Sequence, residues 1–67
     1  MEKIRDCEIR RGEFKNEVYV TYHNDKTEKI FSYYPDELTF SSDEFLGLTK
    51  EQALELYYNR DKQYLQS

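Results

Sequence analysis

The clearest alternation of apolar and polar residues in this chain lies between residues 17 and 34. Val18, Val20 and Tyr22 recur at every second position, which places them on one face of a β-strand. An Asn-Asp-Lys-Thr sequence follows, a composition typical of a tight turn, and a second run of aromatic and β-branched residues comes after it. This pattern predicts an antiparallel hairpin whose core residues include Val18, Val20 and Ile30.

Further strand-like segments lie on either side of this hairpin. Residues 3–11 place Cys7 and Ile9 two positions apart, so we expect another strand with these two side chains on one face. Pro35 ends the hairpin, because proline has no amide hydrogen to donate to a β-ladder. Residues 38–40, Leu-Thr-Phe, are a candidate for a short fourth strand at the edge of the sheet.

A helical pattern occupies the last third of the chain. Residues 41–44 have the Ser-x-x-Glu spacing of a capping box and predict one helical turn, which Gly47 closes. Thr49 is the predicted N-cap of the main helix, with Gln52 positioned to complete a second capping box. An apolar band then extends this helix to about Gln63; its members are Ala53, Leu54, Leu56, Tyr57, Tyr58, Tyr64 and Leu65.

These elements predict one domain over residues 1–67 with an α+β fold. We expect a small antiparallel sheet of three strands, or four if residues 38–40 pair at an edge. The C-terminal helix should pack across one face of that sheet.

The helix start also carries a local resemblance. Residues 44–53, Glu-Phe-Leu-Gly-Leu-Thr-Lys-Glu-Gln-Ala, resemble the helix entry of potato-inhibitor-I-type serine protease inhibitors and that of cell-wall-binding PASTA domains. In the inhibitor family the reactive loop and the strands follow this helix, whereas here the strands precede it. The resemblance therefore implies a well-formed helix start, and no functional residue is carried over from either family.

The composition limits how this fold can be stabilised. A single Cys and a single His cannot form an internal disulfide or a four-ligand Cys/His zinc site, so stability must come from packing. Seven Tyr and four Phe supply much of the available apolar surface. The lone thiol favours a reducing compartment, and no apolar run is long enough for a membrane span or a secretory signal. We therefore expect a cytoplasmic protein without a membrane partner.

Charge is distributed unevenly around a net value of −4. Residues 36–55 are strongly acidic, which is unlike the basic excess of most nucleic-acid-binding proteins. Two alternatives remain open: a nucleic-acid-associated regulator that uses the basic residues of the N-terminal segment, and an acidic mimic of nucleic acid built on residues 36–55. Solvated surface is the simpler interpretation of the acidic block. The basic residues are Lys3, Arg5, Arg10, Arg11 and Lys15.

The residues that could carry catalysis are few. Cys7 and His23 are the one conceivable nucleophile and base, but they lie on different predicted strands and neither has an evident activating group. His23 and Asp25 alone are too few for a metal site. No glycine-rich loop is present to hold phosphate. We expect no enzyme activity, no cofactor and no metal.

Tyrosine is the better indication of function. Tyr is enriched at protein interfaces because it combines a rigid apolar ring with a polar end. The alternative is that these rings cover a small core, and we expect Tyr19 to pair across the hairpin with Phe31 or Tyr33. The candidate partner-binding residues are Tyr19, Tyr33, Tyr57, Tyr58, Asp36 and Glu37.

The composition and the absence of catalytic motifs together favour a small non-enzymatic protein-binding module, such as an inhibitor or adaptor. Chains this short are typical of phage or mobile-element accessory genes. A homodimer is somewhat more expected than a monomer, either through a strand edge or through the surface of Tyr33, Tyr57 and Tyr58.

Overall fold

A computed structural model describes residues 2–66 and confirms the α+β fold. Three strands come first: β1 (Ile4–Arg11), β2 (Asn16–Tyr22) and β3 (Thr27–Tyr33). A short 3-10 helix (Ser42–Phe45) and the helix α1 (Lys50–Gln66) follow. The strands form one antiparallel sheet in the order β1-β2-β3, so β1 and β3 are its edges. No helix within residues 2–66 is long and apolar enough to cross a membrane.

The strand β2, at the centre of the sheet, has the predicted residues on its buried face. Val18, Val20 and Tyr22 are all buried. The Tyr22 amide donates to the Lys26 carbonyl (2.8 Å), and Asp25 adopts a left-handed φ of 70° inside the turn. Asp tolerates this conformation better than most residues, because its short polar side chain bonds locally.

The prediction for the returning strand was wrong at Ile30. The pairing of β2 with β3 shifts register after Val18, which pairs with Phe31, while Tyr19 pairs with Lys29. Ile30 is the extra residue of this bulge and is only partly buried, so Phe31 takes the core position. The expected pairing of Tyr19 with Phe31 or Tyr33 was also wrong, because Phe31 pairs with Val18 and Tyr33 pairs with Asn16.

The fourth strand predicted at residues 38–40 is not formed, although the segment contributes to the core. Leu38 and Phe40 are each only 6% exposed. The Phe40 ring packs edge-on against Phe31 (5.3 Å between centroids) and Tyr33 (4.9 Å). These rings lie on the inner face of the sheet, so the segment crosses that face instead of pairing along an edge.

The caps predicted from sequence are confirmed. The Ser41 amide donates to Glu44 Oε2 (2.6 Å), and Gly47 has the left-handed φ of 83° that favours glycine. The Thr49 amide donates to Gln52 Oε1 (3.0 Å), and the Gln52 amide donates to Thr49 Oγ1 (3.2 Å). This reciprocal capping box starts α1 at Lys50. The helix then continues to Gln66, three residues beyond its predicted end.

The core is an aromatic cluster between the sheet and α1. Phe45 is fully buried and lies 5.8 Å from Phe31, ring centroid to ring centroid. The Tyr57 ring stacks on Phe31 at 4.6 Å and fixes the middle of α1 over β3. Ala53 is the one buried residue among those described in α1, and residues 62–66 are all exposed. The last five residues of the helix therefore lie outside the core.

Candidate protein-binding surface

A side-chain clamp holds α1 against the loop that precedes it. Arg60 donates from Nη2 to Glu44 Oε1 (2.6 Å) and from Nη1 to the Thr39 carbonyl (2.7 Å). Its guanidinium also lies 4.6 Å from the centre of the Phe40 ring. Arg60 and Glu44 are about two-thirds buried, and each stabilises the charge of the other: the pKa of Glu44 is lowered and that of Arg60 is raised. The clamp fixes the direction in which the end of α1 projects.

On either side of Arg60, one face of α1 presents apolar side chains to solvent. Tyr58 is 64% exposed and Leu65 is 72% exposed. They are seven residues apart, so they lie on the same helix face, and Asp61 lies between them. We define the helix surface as Tyr57, Tyr58, Asp61 and Leu65 together with Glu37 of the preceding loop.

Glu37 lies close enough to α1 to influence the pKa of Tyr57. The pKa of Tyr57 is raised first by partial burial, then by the nearby Asp61, Tyr58 and Glu37. The Tyr57 phenol therefore stays protonated at neutral pH, with the side chains of Asp61 and Glu37 nearby. The arrangement is an aromatic and aliphatic patch with an acidic rim, which suits apolar packing combined with hydrogen bonds from Lys or Arg.

The structure divides the six residues predicted to bind a partner. Tyr57, Tyr58 and Glu37 come together on the helix surface, and Asp36 is exposed next to Glu37. Tyr33 is only 5% exposed and belongs to the core.

Tyr19 lies on the opposite side of the sheet from the helix surface. Its neighbours Val18 and Val20 both point into the core, so its own ring points away from α1. The guanidinium of Arg10 covers this ring at 4.2 Å from the ring centre.

Two exposed apolar side chains, Leu65 and Phe14, were not among the predicted partner-binding residues. Leu65 was assigned only to the apolar band of the helix, because the periodicity of that band does not show which of its members lie beyond the sheet. Phe14, in the loop between β1 and β2, is 78% exposed. The sequence signal for this exposed ring is a single Phe between Glu13 and Lys15, two residues after Gly12.

Ion pairs involve two of the five basic residues of the N-terminal segment. Arg10 pairs with Glu8 (3.2 Å), and Arg5 pairs with Asp25. These pairs lower the attraction of the segment for phosphate groups.

Cys7 and His23 are not brought together as a catalytic pair. Cys7 pairs with Val20 across the sheet, and its side chain packs against the core. Burial and then the neighbouring Asp6 raise the pKa of this thiol to about 11, so it is protonated at neutral pH. His23 is exposed at the hairpin turn. Within residues 2–66, no cluster of three or more His, Cys, Asp or Glu side chains is arranged to hold a metal ion.

Comparison with known proteins gives no relative from which a role could be transferred. No family model, no curated protein and no solved structure matches this chain. Its function must therefore be inferred from its own side chains.

Proposed function

We propose that this chain is a non-enzymatic protein-binding module that contacts its partner through the helix surface. The observation that supports this proposal best is the exposure of Tyr58 and Leu65, 64% and 72%, on one face of a helix whose start is rigidly held. Small domains bury large apolar side chains where they can, and a rimmed apolar patch is typical of an interaction site. Tyr in particular contributes binding energy at such sites.

The form of the surface favours a partner with an apolar groove. Tyr58 and Leu65 are placed as the anchors of a helix that lies in a groove, with Asp61 between them. The exposed acids Asp36 and Glu37 favour basic residues at the rim of that groove. Because the Arg60–Glu44 clamp holds α1 before binding, little conformational entropy is lost on association.

The nucleic-acid alternatives have less support from the side chains. A phosphate-binding surface needs free cations, and Arg5 and Arg10 are both paired with acids. An inhibitor or adaptor of the cytoplasm, of the kind found in phages and mobile elements, is the class that we propose.

Site-specific photo-crosslinking in host cells tests this proposal. A photoreactive phenylalanine analogue replaces Tyr58 in one protein and Tyr19 in a matched control, since both positions carry an aromatic ring but on opposite sides of the molecule. We expect a defined protein to be crosslinked from position 58 and not from position 19. An unlabelled Tyr58→Ser/Leu65→Ser protein should fail to compete for this crosslink, whereas unlabelled wild-type protein should compete.

Two results would contradict the proposal. One is a partner captured equally from positions 58 and 19. The other is specific retention of nucleic acid that weakens steeply with salt, which would favour the alternative of a nucleic-acid regulator.

A further inference from the structure

The edge strand β1 leaves part of its backbone without a partner. At its start, the Ile4 amide donates to the Leu48 carbonyl (2.7 Å) and the Ile4 carbonyl accepts from the Gly47 amide (2.9 Å). The 3-10 helix also packs against β1, but beyond Ile4 no segment among residues 2–66 makes a backbone hydrogen bond to the outer side of β1. Unpaired strand edges are sites where another strand can add.

The residues of β1 that point outward follow from the hydrogen bonds of β2. The backbone amide and carbonyl of Tyr22 form hydrogen bonds with the turn towards β3. By alternation, the backbone amide and carbonyl of Val20 also point towards β3 and away from β1. Its pairing partner Cys7 is therefore not bonded to β2, and the Cys7 amide instead donates to its neighbour Asp6 Oδ1 (2.9 Å). From Asp6 onwards the pairing is regular, so the backbone amides and carbonyls of Ile9 and Arg11 also point away from β2. We call Cys7, Ile9 and Arg11 the β1 edge.

The opposite edge of the sheet is less suited to pairing. The register of β3 is broken by the bulge at Ile30, and Lys29 lies beside it. Bulges and edge lysines are devices that discourage strand addition. β1 has one register shift of its own, between Ile4 and Asp6, but none between Asp6 and Arg11, where the β1 edge lies.

The sequence of β1 is complementary to itself in one antiparallel register. In an antiparallel pair of β1 strands, residues whose backbone groups point away from β2 must face each other to form hydrogen bonds. Symmetric pairings can therefore be centred on Cys7, Ile9 or Arg11, or on Glu8 or Arg10 between them. When Ile9 faces the second copy's Ile9, Glu8 faces Arg10 and Arg10 faces Glu8. Both pairs of opposite charges lie on the outer face of the sheet.

The neighbouring allowed registers oppose like charges. Moving the centre of the pairing one residue towards the N-terminus places Glu8 opposite the second copy's Glu8. Moving the centre one residue towards the C-terminus places Arg10 opposite the second copy's Arg10. Like charges directly opposite each other are destabilising, so the register centred on Ile9 is the favoured one.

We propose that a second copy of this chain binds the β1 edge, with the two β1 strands antiparallel and Ile9 opposite Ile9. Each three-stranded sheet then becomes half of a continuous six-stranded sheet. The contact is isologous, the commonest symmetry of homodimers.

This pairing also gathers exposed apolar residues at the ends of the interface. Leu46, which precedes the Gly47 contact with Ile4 at the start of β1, is 46% exposed, and Phe14, just past the end of β1, is 78% exposed. Antiparallel strands bring the start of one to the end of the other, so Leu46 of one copy lies at the same end as Phe14 of the second. The outer faces of the two sheets, opposite α1, form one continuous face in this pairing. Both copies of α1 therefore lie on the other face of the six-stranded sheet, and the two helix surfaces form a bivalent unit.

Charge reversal with rescue tests the proposed register. Arg10→Glu places Glu opposite Glu twice, and Glu8→Arg places Arg opposite Arg twice. The double variant Glu8→Arg/Arg10→Glu restores opposite charges and keeps the net charge of −4. Lys62→Glu, an exposed reversal on α1, is the matched control for net charge.

Sedimentation equilibrium from micromolar to millimolar concentration is the first measurement. We expect wild type, Lys62→Glu and the double variant to dimerise alike, and each single reversal to raise the dimer dissociation constant by about tenfold or more. Hydrogen exchange is the second measurement. The amides of Ile9 and Arg11 should become protected as the concentration rises in wild type and not in Arg10→Glu.

Three outcomes would overturn the proposal. A single 8.2 kDa species at every concentration excludes the dimer. A dimer whose concentration-dependent protection lies on α1 and not at Ile9 and Arg11 places the contact elsewhere. A double variant that stays as weak as the single reversals excludes this register.

Discussion

Replacement of Arg60 by Met removes the clamp between α1 and the preceding loop while retaining an apolar stem. The change removes two hydrogen bonds to Glu44 (2.6 and 3.1 Å), one to the Thr39 carbonyl (2.7 Å) and the contact over the Phe40 ring. The partly buried bidentate ion pair is worth about 1 kcal/mol, the hydrogen bond to Thr39 about 1 kcal/mol and the ring contact about 0.5 kcal/mol. These contributions sum to about 2.5 kcal/mol, and because Met retains the apolar stem we expect Arg60→Met to lower the free energy of unfolding by about 2 kcal/mol.

This loss is large for a chain of 67 residues. A domain of this size has roughly 3–10 kcal/mol of stability, and a loss of about 2 kcal/mol lowers Tm by about 10 °C. Urea denaturation followed by circular dichroism measures the change. Glu44→Gln and the double variant complete a double-mutant cycle, with Lys62→Met as an exposed control on the same helix.

We expect a coupling energy of about 1 kcal/mol between Arg60 and Glu44. An Arg60→Met protein within about 0.5 kcal/mol of wild type, or a coupling energy near zero, would refute the reasoning. In that case the direction of α1 would be fixed by the aromatic core alone.

Three further predictions concern the fold. Val20→Asp buries an unpaired charge at a 1% exposed site and should leave the chain unfolded by circular dichroism; a native spectrum would contradict the core assignment. Thr49→Ala removes the helix cap and should cost about 1 kcal/mol in urea denaturation, whereas Thr49→Ser should not. The pKa of Glu44 is lowered in the fold, so its stabilising contribution is present above its ordinary pKa of 4.5 and is lost as the pH falls further. Acid titration of Glu44→Gln should show a shallower loss of stability than wild type, and an identical profile would exclude this contribution.

The parts of the fold that follow local rules could be predicted from sequence. Val18, Val20 and Tyr22 alternate, and Thr49 and Gln52 have capping spacing, so the central strand and the start of α1 were placed correctly. Each of these features depends on residues within a few positions of one another.

The features that depend on distant pairing could not be predicted in the same way. Ile30 was misplaced because a bulge is defined by two strands and not by one. The contact between Arg60 and Glu44 joins residues 16 positions apart, and no periodicity indicates it. Tyr33 was proposed for a partner but is buried, because Phe40 from the crossing segment packs against it.

The affinity of the purified partner for single-site variants tests the proposed function most directly. The measurement is isothermal titration of the crosslinked partner, once identified, with wild type, Tyr58→Ala and Tyr19→Ala, each shown to be folded by circular dichroism. We predict that Tyr58→Ala raises Kd by about tenfold or more, and that Tyr19→Ala changes Kd by less than about twofold. An unchanged Kd for Tyr58→Ala, or a larger loss for Tyr19→Ala, would contradict binding through the helix surface.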